Sequence, residues 1–422
     1  MQKTAHIIGA GLSGLAAAIR LSNAGYAIQV HEATHQAGGR CRSYYDAATD
    51  LVIDNGNHLL LSGNRHALAY ARAIGTEDGL VGPDTARFPF MDISTGQRWT
   101  LDLGKSRIPG WLFDPKRRVP DTSVGDYLKL LPLVWSPTSR LVGDAIPCDG
   151  ALYHRLVQPL LLAALNVDPP EGSAGLAGAI VRETLLAGGQ NCRPLIARAG
   201  LSDVLVEPAI ELLKQRGAGV HLGHELRKIT QADGRAISLD FGTDSIDLGK
   251  TDVVIVAVPP RAAMSLVPGL TGPTEFRAIV NAHFRYDPPA DCPPLTGVVG
   301  GLVEWLFAFP NRLSITISNG DRLVNMPREE LARAIWRDIC KTAGLPDAAA
   351  EGELPPWQIV RERRATFAST PKQNAMRPGA TTSAANMFVA GDWTDTGLPA
   401  TIEGSIRSGD HAADLVLAMP QI

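Results

Sequence analysis

An α/β fold with a parallel sheet at its centre is predicted by three features of this 422-residue chain. The first is Ala5-His6-Ile7-Ile8, followed at once by Gly9-Ala10-Gly11-Leu12-Ser13-Gly14 and a small-residue run from Leu15 to Leu21. The second is Ile28-Gln29-Val30-His31, which ends on Glu32. The third is a pair of short apolar runs, Asp252 to Val258 and Asn386 to Ala390, stopped by Pro259 and Gly391. Uninterrupted apolar runs of this length suit strands buried on both faces, as in parallel sheets covered by helices.

The first run reads as strand, glycine turn and helix. Gly9 permits the turn, Gly11 leaves room for a pyrophosphate against the backbone, and Gly14 lets the helix pack closely on the strand. The unpaired N–H groups of Leu12 and Ser13 would then face the phosphates. Glu32 follows about twenty residues on, where a carboxylate accepts hydrogen bonds from ribose hydroxyls. Together these elements predict a Rossmann-like dinucleotide site. No second glycine fingerprint of this kind follows, so the reductant of such a protein either docks transiently or is another protein.

Glu32-Ala33 leads into a second glycine turn, Gly38-Gly39-Arg40, and the C-terminal part holds Gly391-Asp392 and Thr401-Ile402-Glu403-Gly404-Ser405. These blocks resemble the FAD-binding flavoproteins of the amine oxidase and carotenoid desaturase superfamily. The resemblance implies FAD, with Gly38, Gly39 and Arg40 along its phosphates and ribose, Gly391 and Asp392 at the ribityl-phosphate region, and Thr401 and Ile402 at the pyrimidine edge, where a helix start meets negative charge on reduction. It also implies an α/β fold in which a Rossmann-like FAD-binding domain of the amine oxidase type is interleaved with an α+β substrate domain. The expected FAD-binding segments are 1–75, 195–261 and 358–422, and the expected substrate segments are 76–194 and 262–357.

Further blocks are Asp54-Asn55-Gly56-Asn57-His58, Asn281-Ala282-His283-Phe284, Arg363 to Phe367 and Trp393 to Ala400. They look like the bacterial hydroxysqualene dehydroxylases of hopanoid-type squalene synthesis. That resemblance implies an FAD-dependent oxidoreductase acting on a long isoprenoid alcohol, with Gly56, Asn57 and His58 near the flavin and the Leu226 backbone beside the adenine.

Between the cofactor blocks, Phe88 to Ile93 and Arg98 to Leu103 flank Ser94-Thr95-Gly96-Gln97 and predict a hairpin. Helices are expected from Val124 to Ala187 and from Val204 to Gln215, and short strands at 221–222, 225–229, 236–241, 245–248, 295–303 and 313–318. Leu160 to Leu165 and Trp305-Leu306-Phe307 read as apolar helix faces.

A formal net charge of −3 without a long basic run argues against nucleic acid as a partner. The five cysteines are odd in number and lack a C-x-x-C pair, so no metal site is expected. The first strand begins near Ala5, which leaves no room for a signal peptide, and no run reaches the roughly 18 apolar residues of a membrane span. The chain is expected in the cytoplasm. Trp111-Leu112-Phe113 beside Lys116-Arg117-Arg118 reads either as a loop packed on its own domain or as a peripheral contact with anionic lipid.

Removing an allylic hydroxyl needs a proton donor for the departing oxygen. Asp395, His58 and Asp54 are the candidates, with Glu403 beside them; His58 could equally be a neutral structural histidine, Asp395 a turn cap, and Glu403 a helix-end partner. A second paired aromatic of the amine oxidases is missing after Trp393. The competing readings are a polyene desaturase, which runs the flavin the opposite way, and a flavin-free prenyl-protein carrier on the same scaffold.

Overall fold

The computed structural model describes residues 3–420. Five strands form a wholly parallel sheet in the order Gly219–Leu222, Ala27–Glu32, Thr4–Ile8, Val253–Val256 and Met387–Val389. The two runs at its centre are apolar and buried because helices cover them. On one side lie Leu12–Asn23, Glu207–Gln215 and the last helix, Ile402–Leu417. Gly409 lets that last helix touch the first: a Cβ there would overlap the Ser13 carbonyl oxygen. The Ser13 and Ser405 hydroxyls meet at 2.8 Å across the same contact.

The second body is a seven-stranded sheet in the order Trp357–Phe367, Phe276–Arg285, Arg312–Ile317, Trp305–Phe309, Leu295–Val299, Ala86–Asp92 and Arg98–Gly104. Only the pairing of Leu295–Val299 with Ala86–Asp92 is parallel. Trp305, Phe307 and Phe309 point into one core with the helical segment, including Leu133, Leu156, Leu161 and Leu165. Leu306, Leu313 and Ile315 point the other way, onto Ile335, Trp336 and Ile339 of helix Arg328–Ala343. The period of two therefore sorts the side chains of these strands between two cores.

Two sequence expectations change. Trp305-Leu306-Phe307 is a central strand, not a helix face. The strand Trp357–Phe367 pairs with Phe276–Arg285 over most of its length, so the boundary expected at 358 falls inside the second sheet. The region from Val124 to Ala187 is helical as expected, as a string of short helices of which Gln158–Leu165 and Ala174–Glu183 are the longest, with a π turn at Tyr153–Val157. Trp111 is also corrected: it is 5 % exposed and packs edge-on against Tyr127 at 5.3 Å. Phe113, at 75 %, and Ile108, at 76 %, are the exposed apolar groups of that loop.

Candidate functional site

The first strand, turn and helix form as their residues dictate. Gly9 takes φ +104° and its N–H donates to the His31 carbonyl at 2.7 Å, tying the turn to the second strand. A Cβ at Gly14 would overlap the Gly9 carbonyl oxygen, so only glycine allows this helix approach. Gly11 is the N-cap of helix Leu12–Asn23, and no side chain caps that end. Nothing lies within 4 Å of where a Gly11 Cβ would stand. An uncapped helix start beneath open space is the shape a pyrophosphate requires.

The other cofactor candidates gather around this point. Glu32 accepts from the Ala10 N–H at 2.9 Å and from both the Thr34 N–H and hydroxyl, at 2.9 and 2.8 Å, which fixes its carboxylate at the strand end. Ala33 next to it is exposed. The Gly38 N–H donates to the Ala10 carbonyl at 2.8 Å, and a Cβ at Gly39 would stand 3.7 Å from the Gly11 Cα. The two glycine turns thus make one cradle. The His224 N–H donates to the Glu32 carbonyl at 2.8 Å, which brings the segment of the buried Leu226 to the Glu32 end of that cradle.

Arg40 links the cradle to the C-terminal blocks. One guanidinium nitrogen donates to Asp392 Oδ1 at 2.7 Å and another to the Ala365 carbonyl. Gly391 N–H donates to the Ser408 hydroxyl at 2.8 Å, which seats this turn on the last helix. Thr401 caps that helix through its hydroxyl, which accepts from the Gly404 N–H at 3.0 Å, and Ile402 is buried behind it.

Gly56, Asn57 and His58 lie at the junction of the two sheets. Asn57 donates from Nδ2 to the Ile315 carbonyl at 3.0 Å and from its N–H to Asn281 Oδ1 at 3.3 Å. Its own Oδ1 is buried with no protein partner, which suits a ligand donor there. The His58 imidazole is pushed down to about 4, first by burial and then by Arg40, against the pull of Asp392; it is neutral at pH 7. Uncapped helix, open cradle and orphaned acceptor fit a dinucleotide lying between the sheets.

The four acid candidates are scattered. Asp54 is 4 % exposed, and its Oδ1 accepts from the Ser43 hydroxyl at 2.5 Å and the Leu201 N–H at 2.8 Å. It pins the strand Leu51–Asp54 to a turn 147 residues away. Asp395 is exposed, its N–H held by the Pro378 carbonyl at 2.8 Å. Glu403 is 3 % exposed and accepts from the N–H groups of His66 and Ala67 at 3.1 and 2.9 Å. It therefore caps helix Arg65–Ala73, not its own.

Arg377 escaped the sequence reading. Its buried guanidinium donates to the Leu398, Asp392 and Thr394 carbonyls and to the Thr396 hydroxyl, and so fixes the turn from Asp392 to Leu398. An isolated arginine before Pro378-Gly379 carries no local signal for that role.

Residues 12–417 match the family described as flavin containing amine oxidoreductase. The chain belongs to that family. It is 66 % identical over 418 residues to a hydroxysqualene dehydroxylase of Sinorhizobium fredii, covering 99 % of each chain, and 68 % identical over 419 residues to one of Rhodopseudomonas palustris, again 99 % of each. Within the family it stands with the hydroxysqualene dehydroxylases. A solved oxidoreductase from Methanosarcina mazei shares the fold at TM-score 0.72 and 16 % identity, covering 97 % of this chain and 100 % of that one. The protein is an FAD-dependent oxidoreductase.

Proposed function

We propose that this protein reduces the allylic alcohol hydroxysqualene to squalene with loss of water. The observation that carries the reading is near-complete, high-identity coverage by the dehydroxylases, over a chain whose dinucleotide cradle is intact. Bound and reduced, FAD supplies the hydride that replaces the hydroxyl.

This reading gives the chain's own residues the following parts. Gly9, Gly11 and Gly14 shape the turn, and the N–H groups of Leu12 and Ser13 hold the pyrophosphate. Glu32 and Ala33 meet the adenosine ribose, and Leu226 meets the adenine. Gly38, Gly39 and Arg40 run along the phosphates, Gly391 and Asp392 fix the ribityl end, and Gly56, Asn57 and His58 border the ring system. Thr401 and Ile402 present the start of the last helix to the pyrimidine edge, where its dipole favours negative charge. A neutral His58 hydrogen-bonds there without carrying a proton for the reaction.

The reading assigns the FAD-binding domain to the segments around the parallel sheet and the substrate domain to the seven-stranded sheet with its helices, the last crossing lying after Phe367. Among the described residues no helix is long and apolar enough to cross a membrane. A peripheral contact with anionic lipid uses Ile108 and Phe113, exposed beside Lys116, in place of the buried Trp111. The donor of the flavin's electrons is a separate molecule.

The test is a single turnover. Enzyme reduced anaerobically and mixed with hydroxysqualene should oxidise its flavin and release squalene, while oxidised enzyme does nothing. Bleaching of oxidised flavin by a saturated polyene precursor would make the protein a desaturase, and a purified protein without flavin would make it a carrier.

A further inference from the structure

The strand Trp357–Phe367 is the outer edge of the seven-stranded sheet, and its ladder with Phe276–Arg285 breaks at one place. Arg277 pairs with Thr366 and Ile279 with Glu362, so Ala278 alone stands opposite Arg363, Arg364 and Ala365. The Ala278 N–H leaves the ladder for Asp321 Oδ1 at 2.8 Å. Such a bulge re-aims the residues it contains. Here the Ala365 carbonyl turns to Arg40 of the cofactor cradle, and Arg363 and Arg364 are left exposed.

More arginines join them at this edge. Arg363 donates to the Val324 carbonyl at 3.3 Å and Arg361 to the Met326 carbonyl at 2.5 Å, which sets both along the segment leading into Arg328. Burial, and then the charges of Arg328 and Arg363, push the Arg361 guanidinium down. Arg42 and Arg328 both lie within electrostatic reach of the Tyr44 hydroxyl, and Arg42 donates to the Gly39 carbonyl at 2.8 Å, within the second glycine turn. Among the described residues none of Arg42, Arg328, Arg361, Arg363 and Arg364 forms an ion pair. Carboxylates of the same region face other partners: Glu362 accepts from Asn55 Nδ2 at 3.4 Å, Glu329 from Arg333 at 3.1 Å and Asp46 from Gln358 at 2.5 Å. The whole chain carries a formal charge of −3, so this unpaired positive charge is a local concentration.

The patch lies against the flavin site. Asn55, which holds Glu362, directly precedes the Gly56-Asn57-His58 loop, and Ala365 is bonded to Arg40. Charge of either sign would keep a free strand edge from pairing; unpaired cations of one sign beside the cofactor suit a negatively charged partner as well. A nicotinamide nucleotide is typically held by a glycine turn against a helix start, and the sequence has no second fingerprint of that kind. Arginines spread along an exposed edge match instead an acidic protein face, whose charges steer a small and brief contact.

We propose that this arginine edge docks the flavin's electron donor, an acidic one-electron redox protein. The assignment rests on the reading that FAD occupies the cradle and is reduced by a separate molecule. Two reduced donor molecules dock in turn, and each gives up one electron and leaves oxidised. Those two electrons, with two protons from solvent, complete the reduced cofactor.

Anaerobic stopped-flow reduction of the oxidised holoenzyme, without substrate, tests this with two acidic probes, a reduced [2Fe–2S] ferredoxin and a reduced flavodoxin. At least one should reduce the wild-type flavin, at a second-order rate that falls as salt rises. Arg363→Glu with Arg364→Glu should lower that rate about 10-fold or more at low salt and remove its fall with salt. Arg363→Gln with Arg364→Gln should lie between. Reduced methyl viologen, a small cation, should reduce both variants at least as fast as wild type, and their flavin content, melting temperature and single-turnover oxidation by hydroxysqualene should be unchanged. Charge-reversed enzyme reduced by both probes at the wild-type rate leaves the arginines as edge protection and overturns the proposal, as does a wild type that neither probe reduces. Two further results overturn it: reduction of wild type by NADPH that the glutamates abolish, or glutamates that abolish only pelleting with phosphatidylserine vesicles. The arginines would then bind nucleotide phosphate or lipid. Because reduction is read without substrate, a wild type inert toward hydroxysqualene overturns the dehydroxylase reading alone, whereas a wild type without flavin overturns both.

Discussion

Replacing Glu403 by glutamine separates a structural carboxylate from a catalytic one. The native carboxylate lies 3 % exposed and accepts from two N–H groups at the start of helix Arg65–Ala73, with Arg407 3.5 Å away. Glutamine keeps the shape but offers one acceptor, and turns an NH₂ donor toward an N–H donor. One hydrogen bond to a charged group, about 1.5–3 kcal/mol, is lost, and a buried donor is left unpaired. Part of the helix-cap stabilisation goes too, so the cost comes to about 2–4 kcal/mol. At about 2 °C per kcal/mol, the low end for large domains, the melting temperature should fall by about 4–8 °C. Thermal unfolding followed by circular dichroism measures this, and single-turnover rate per bound flavin measures the chemistry. We expect the rate to stay within about threefold of wild type. An unchanged melting temperature with turnover abolished would refute the capping role and return Glu403 to the reaction.

Gly11→Val should purify colourless, because a branched side chain fills the space beneath the uncapped helix where the phosphates lie; absorbance of bound flavin per protein reads this directly. Ile108→Ser with Phe113→Ser should reduce pelleting with anionic vesicles at unchanged melting temperature, whereas Trp111→Ser should lower stability by removing a packed ring; equal vesicle binding in all variants removes the lipid contact. His31 lies in a histidine ladder, with Nδ1 2.9 Å from His224 and Nε2 3.4 Å from His6. Burial and the neighbouring histidines push it down to about 3, so the folded protein keeps it neutral while the unfolded chain binds a proton near 6.5. Its stabilisation is complete above pH 6.5 and is lost as pH falls from there toward 3, at up to about 1.4 kcal/mol per pH unit. His31→Gln should flatten denaturant-derived stability against pH in that window, and an unchanged slope would exclude the ladder as its source.

The cofactor half was legible because its physics is local. Gly9, Gly11, Gly14 and Glu32 act within one strand–helix–strand unit, so spacing alone carries their roles. The substrate half obeys non-local rules. A three-residue apolar run such as Trp305-Leu306-Phe307 does not distinguish helix from strand, and only its antiparallel partner Arg312–Ile317 decides the matter. Asn281-Ala282-His283-Phe284 entered only as part of a family resemblance, and its place in the strand Phe276–Arg285 is decided by the partners Arg312–Ile317 and Trp357–Phe367. Asp54 sits among asparagines and glycine and reads as reactive; the Leu201 N–H that makes it a strut comes from a segment that spacing cannot bring near.

Carboxylates at the junction of the two sheets show why residue type underdetermines role. Asp54 and Glu403 each accept from two donors and are held as buried acceptors. Asp392 faces the Arg40 guanidinium, and Asp395 faces water. Glu304 is 8 % exposed and accepts from the Ser318 N–H at 2.9 Å, and burial pushes its carboxyl up to about 7. A buried carboxyl keeps its proton near neutral pH when desolvation outweighs the donors around it, and loses it when they prevail. Burial pushes Asp54 up although the Ser43 hydroxyl and the Leu201 N–H both favour its charged form, so the number of donors does not by itself order these carboxyls, and the depth of burial has to be weighed against them.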